Sequence, residues 1–249
     1  VRENDMHAFG QILKIETRLY LRDLAAPLIT IALPLLLLAV FGLIPAMREP
    51  NPDFGDLSFV QYFAPSLLVI TLAMAAVNIL PTVLATYRER GVLRRLATTP
   101  ASPAALLAAQ LVISLATIVI SAVLLIVVGR LAFDVPLPRH PLGFALALVV
   151  GTAALLALGL LVAAVARTNK AAQAVAVPVF MLVMFFGGVY VPRFLLPDFL
   201  ARIGDYTPPG VQALLDAWTA DAPQPLHLAI MALIAVLAGA AAAKLFRWE

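Results

Sequence analysis

The sequence predicts an all-α integral membrane protein with six transmembrane helices, and three observations predict it. Of the 249 residues, 63% are hydrophobic and only 12% are charged, where a soluble domain carries roughly 45–50% apolar and about 25% charged residues. Six apolar runs are each about twenty residues long, enough at about 1.5 Å per residue to cross the roughly 30 Å hydrocarbon core of a bilayer. The basic residues fall unevenly on the segments between those runs, which is the asymmetry that orients membrane proteins.

Residues 1–24 precede the first run and carry Arg2, Lys14, Arg18 and Arg22, with Ile12, Ile15, Leu19 and Leu21 recurring on one side from Phe9 onward. This periodicity predicts an amphipathic connecting helix lying on the cytosolic surface of the membrane. The charged lead-in is too long for a cleavable signal peptide, and the run after it is long enough to span. Residues 25–249 then form a single six-span transmembrane domain with spans at 25–44, 62–86, 104–128, 142–166, 171–191 and 226–245.

Six spans put both termini on one side. With the termini in the cytosol, only Arg48, Arg130, Arg139, Arg193 and Arg202 of the seventeen basic residues lie outside. The opposite orientation would invert that bias. The fourth and sixth spans carry small residues at regular spacing, Gly151 and Gly159 around Leu155 in one, Ala235, Gly239 and Ala243 in the other. Such stripes let helix backbones approach closely. After the fifth span, Gly187 and Gly188 interrupt the apolar run, and Pro192 and Pro197 follow. The outer segment 187–217 is therefore expected to be broken into short re-entrant or interfacial helices, or to lie on the membrane as a loop that seals the outer face.

The chemistry that is missing narrows the function. There is no cysteine, and His7, His140 and His227 share no ligand spacing, so no metal site is expected. No G-x-x-x-x-G-K-[ST], H-E-x-x-H or G-x-S-x-G motif occurs, which leaves no phosphate loop and no hydrolytic centre. No ionisable side chain lies near a span midplane, where an ion-coupled transporter needs one. The midplane offers only Thr71 and Asn78, with Gln173 near the start of the fifth span. Asn in a span favours a helix–helix hydrogen bond over a substrate contact. Met181, Met184 and Phe185 give the fifth span a soft aromatic stretch suited to amphipathic ligands. Work done by such a protein has to enter from a partner.

One cytosolic stretch could receive it. Arg88, Glu89, Arg90, Arg94 and Arg95 fall within eight residues, with Val92, Leu93 and Leu96 at helical spacing among them. Residues 87–100 are thus expected to form a short amphipathic helix between the second and third spans. On charge alone the favoured reading is that these arginines enforce orientation and bind anionic lipid headgroups rather than grip a partner.

The run ERGVLRRLATTPAS, residues 89–102, resembles the signature of type 2 ABC exporter permeases, in particular the daunorubicin-resistance branch, which reads approximately E-R-G-T-L-x-R-L-x-x-T-P-x-S. The match includes Glu89, Arg90, Gly91, Leu93, Arg95, Leu96, Thr99, Pro100 and Ser102, with Val92 in place of the usual threonine. The resemblance implies a permease without a nucleotide site of its own, paired with a second permease, identical or paralogous, and with two copies of a separate ATPase that binds ATP and Mg. It implies that Arg88 to Thr99 act as the coupling helix on that ATPase, with the N-terminal helix as a second contact. It further implies a path between two permeases along the second and fifth spans and the first, with the broken segment around Gly187, Gly188, Pro192 and Pro197 forming re-entrant helices that close an outer gate. The expected passenger is a hydrophobic or amphipathic compound such as a drug, antibiotic or lipid. Polysaccharide or glycolipid export is the alternative, weakened by the presence of only two tryptophans. A non-transporting membrane scaffold or sensor working with an ATPase is the reading from a different class. Nothing in the chain points to nucleic acid.

Overall fold

The computed structural model describes residues 2–54, 56–96, 103–191, 195–219 and 222–246. In chain order the helices are α1 (Arg2–Arg22), α2 (Ala25–Leu43), α3 (Phe59–Glu89), α4 (Val92–Leu96), α5 (Pro103–Phe133), α6 (Pro141–Val165), α7 (Asn169–Phe186), α8 (Asp198–Asp205), α9 (Val211–Thr219) and α10 (Pro225–Leu245). A two-stranded antiparallel hairpin, β1 (Pro50–Asn51) with β2 (Leu57–Ser58), joins α2 to α3. Helices α2, α3, α5, α6, α7 and α10 are long and apolar enough to cross a membrane, so the expected all-α membrane architecture holds.

Helix α3 is the axis of the bundle. Ser58 starts it with a capping box: its hydroxyl accepts from Gln61 N–H, and the Gln61 side chain accepts from Ser58 N–H. Every residue from Phe63 to Ala73 is buried, because α2, α5, α6, α7 and α9 all pack on it. A span buried all round cannot be amphipathic, and this one reads as a continuous apolar run.

Prolines shape both α2 and α3. Pro34 has no N–H for the Thr30 carbonyl and Pro81 none for Val77, so each helix widens into a π turn just upstream, Leu28–Ala32 in α2 and Met74–Ile79 in α3. The freed Thr30 carbonyl is not wasted, since it accepts the Thr71 hydroxyl of α3 at 3.3 Å.

Several span boundaries differ from expectation; the second span starts at Phe59 and the third runs on to Phe133, and two others bear on the site. No breaker lies between Pro81 and Gly91, so α3 runs on through Glu89 and ends where Gly91 turns at φ +69°. Tyr87, Arg88 and Glu89 are thus the last turn of a span, and α4 begins only at Val92, while residues 97–100 of the expected helix lie outside the described residues. The fifth span stops at Phe186, short of residue 191, because Gly188 takes φ +71°.

The small-residue stripes are also placed differently. Helix α10 lies lengthwise on α6, yet its buried line is His227, Met231, Ala238 and Ala242. Ala235 and Gly239 are only partly buried and Ala243 is exposed. Gly151 and Gly159 serve other neighbours. A Cβ at Gly159 would collide with the Ala76 carbonyl oxygen in the α3 π turn, and one at Gly151 with the carbonyl of Pro209.

The outer segment is broken as expected, and its two helices have different surroundings. On α9, Val211, Ala213, Leu214, Ala217 and Trp218 are buried, and the Trp218 ring meets Phe144 of α6 edge-on at 5.3 Å. Its last carbonyls are satisfied by Arg139 N–H and His140 N–H, which donate to Trp218 and Ala217. Helix α8 instead leaves Phe199 and Ile203 exposed.

Candidate functional site

On the side of the bundle where α3 ends, the basic stretch divides into two functional groups. Arg88 turns back into the protein. One of its guanidinium nitrogens donates to the carbonyls of Ala163 (2.7 Å) and Ala166 (2.5 Å), and its carbon sits 4.8 Å from the centre of the Phe246 ring. Those carbonyls belong to the last turn of α6, whose final C=O groups have no intrahelical donor and carry the negative end of the helix dipole. Glu89 is exposed but held by its own chain, accepting from the Asn169 backbone N–H at 3.0 Å at the positive end of α7. Asn169 reaches back to Thr86 Oγ1 at 2.6 Å. Both residues, expected to meet an ATPase, are engaged by their own chain.

The remaining arginines face outward. Arg90, Arg94 and Arg95 are exposed, whereas Leu93 between them is 1% exposed. Leu93 therefore anchors α4 rather than offering apolar contact to a partner, and Leu96 is partly buried. Gly91 makes the turn, and Arg95 ties it by donating to the Arg90 carbonyl at 3.1 Å. Thr99, the last residue of the expected coupling set, lies outside the described residues.

The residues expected along a path do not form one line. Thr71 is locked among three helices, bonded to Thr30 O of α2 and to Ser121 Oγ of α5 (3.0 Å). Met184 is buried and Phe185 partly buried against Phe186, while Met181 is 49% exposed and accepts the Tyr190 hydroxyl. Asn78 sits partly buried in the α3 π turn, and its amide makes no side-chain hydrogen bond among the described residues. Thr71→Val removes the hydroxyl that holds both Thr30 O and Ser121, and is expected to cost about 1 kcal/mol. The thermal midpoint of the purified protein against wild type checks this.

At the outer end, Gly187 is pressed against Val69 and Val183, whose atoms would lie 2.7 Å from an added Cβ. Gly188 needs its positive φ, and Pro197 leads into α8. Pro192 lies outside the described residues. A polar concavity opens here among Arg202, Asp205, Tyr206, Gln212, Gln224 and His227.

Sequence reasoning missed a cluster at the base of the bundle. The buried face of α1 carries Glu16 rather than the apolar stripe, and Ile15, Leu19 and Leu21 remain 49–60% exposed, free to meet lipid. Helix α1 packs on α5, and one oxygen of Glu16, Oε2, accepts from both Tyr87 OH (2.7 Å) and Gln110 Nε2 (2.6 Å). Burial lifts the Glu16 carboxyl above the ordinary glutamate range, against these two bonds, which favour the charged form. The chain of hydroxyls continues inward, with Tyr20 beside Thr30 and Thr117 at 3.2 Å each. The available signal was the i, i+4 spacing of Ile12, Glu16 and Tyr20, which puts the acid on one face with its neighbours.

No curated protein and no solved structure matches the chain. The model of the ABC-2 type transporter family matches residues 7–209, from within α1 through the first five membrane-crossing helices to α8 and the turn after it. With six membrane-crossing helices arranged around α3 and a glycine-turned basic helix at the end of α3, the chain belongs to the ABC-2 type transporter family and is the membrane permease component of an ABC transporter.

Proposed function

We propose that this permease is the transmembrane half of an ATP-driven exporter of hydrophobic or amphipathic compounds, energised by separate ATPase subunits that dock on α4. Membership of the family implies pairing with an ABC ATPase; the export direction, the passenger class and a second permease, identical or paralogous, are part of the proposal. Both termini and α4 face the cytosol in this reading, which agrees with the distribution of Lys and Arg. The observation that carries it is the division of labour within one basic stretch. Leu93 is buried and fixes α4, and Arg90, Arg94 and Arg95 stand exposed on the fixed helix. Arginine forks on a rigid support suit carboxylates on a soluble subunit.

The test is co-purification of the ATPase with the permease carrying Arg94→Glu and Arg95→Glu together. Binding is expected to fall at least about a hundredfold, since two attractive contacts become repulsive at a few kcal/mol in total. Membrane insertion and the elution profile stay as in wild type. Undiminished ATPase binding would remove α4 as the docking site.

A further inference from the structure

The cavity at the base of the bundle is chemically unlike any path residue discussed above. It has a volume of about 120 Å³ and lies between α1, α3 and α5, with Glu16, Tyr20, Asp23, Ile79, Tyr87 and Ile113 in its wall. It holds two carboxylates and no lysine, arginine or histidine. Glu16 is 8% exposed, and both of its hydrogen bonds fall on Oε2. Its Oε1 accepts none among the described residues. That oxygen is not sealed inside the protein, so it is open to a cation or donor entering the cavity.

We propose that this cavity binds the positively charged nitrogen head of an amphiphile, an organic ammonium. The two tyrosines in the wall supply faces that attract an ammonium, and the carboxylates supply its counter-charge. The lining argues against a metal ion, which calls for more oxygen ligands than two carboxylates in a half-apolar wall; no cluster of three or more acids or histidines occurs among the described residues. Size sets the division of the ligand. Drug-sized sites run to roughly 300–1,000 Å³, so this volume admits the head alone. Leu19 stands in the same wall and is 49% exposed, which gives the apolar tail an exit along the lipid-facing side of α1. The inference rests on the export reading only in calling such a ligand a passenger. The binding itself is independent of it.

The experiment uses the full chain in phosphatidylglycerol nanodiscs without any ATPase, with radiolabelled dodecyltrimethylammonium as the probe and empty discs as background. Saturable binding is expected, displaced by dodecylamine and not by the uncharged dodecyl maltoside. Glu16→Gln keeps an acceptor for Tyr87 and Gln110 but removes the charge, and should weaken binding at least about tenfold. Asp23→Asn, at the exposed edge, should weaken it by a smaller factor. Phosphatidylethanolamine added to the discs distinguishes the sources: competition identifies an aminolipid, and undisturbed probe binding identifies a dissolved amphiphile. Equal binding by wild type and both variants, or displacement by maltoside as readily as by dodecylamine, overturns the proposal. Because no ATPase is present, that result would leave docking on α4 standing, and failure of docking would leave this site standing.

Discussion

Gly159→Ala is expected to destabilise the bundle by about 3 kcal/mol, the upper end of the usual range for overpacking a core. Most added methyl groups are accommodated by a side chain that swings aside. Here the atom in the way is the Ala76 carbonyl oxygen, part of the α3 backbone at its π turn. Moving it means moving the most buried helix in the protein. Gly10 of α1 is the contrasting position, because a Cβ there has nothing within 4 Å. Gly10→Ala should gain up to about 1 kcal/mol from helix propensity alone. Thermal midpoints of the two variants, measured by loss of the monodisperse elution peak, should move in opposite directions. Parallel shifts would mean that α6 and α3 are not in backbone contact at this point.

Arg88→Gln is expected to cost about 3 kcal/mol of stability, from two hydrogen bonds to a charged donor at roughly 1.5–3 kcal/mol each, discounted for partial exposure. The loss falls on the last turn of α6, where the Ala163 and Ala166 carbonyls would lose their donor. Arg88→Lys should recover little, since a compact ammonium on a flexible stem replaces a planar fork lying near the Phe246 ring. Arg94→Gln, at an exposed position on α4, should stay within about 0.5 kcal/mol of wild type. The measurement is again the thermal midpoint, run beside ATPase co-purification. Should Arg88→Gln leave the midpoint alone and abolish ATPase binding, Arg88 would return to the coupling surface where the sequence first put it.

That reassignment shows which parts of this protein a sequence can disclose. The spans were legible because each is a local property: about twenty apolar residues in a row suffice, whatever they later touch. The break after α7 was legible for the same reason, since Gly187 and Gly188 act on their own backbone. Arg88 and Arg94 are chemically identical and six residues apart, and only the end of α6 makes one a strap and leaves the other outside. Glu16 was illegible from the opposite direction. An acid in an amphipathic helix is expected on its polar face, and only the arrival of Tyr87 and Gln110 from α3 and α5 makes burial tolerable. The π turns sit in between. Pro34 and Pro81 announce a disturbance, but its form depends on Thr71, which donates to the Thr30 carbonyl, and on Gly159, which leaves room for the Ala76 carbonyl.

The five residues of α4 carry a consequence for how a partner would bind. An isolated helix shorter than about twelve residues is barely populated in water, so α4 cannot owe its shape to its own hydrogen bonds. It owes that shape to Leu93, sunk to 1% exposure, and to the Gly91 turn at φ +69°. The ordering entropy of this surface is thus already spent when the chain folds. A subunit that docks on α4 meets a preorganised face and loses none of its binding free energy to shaping it.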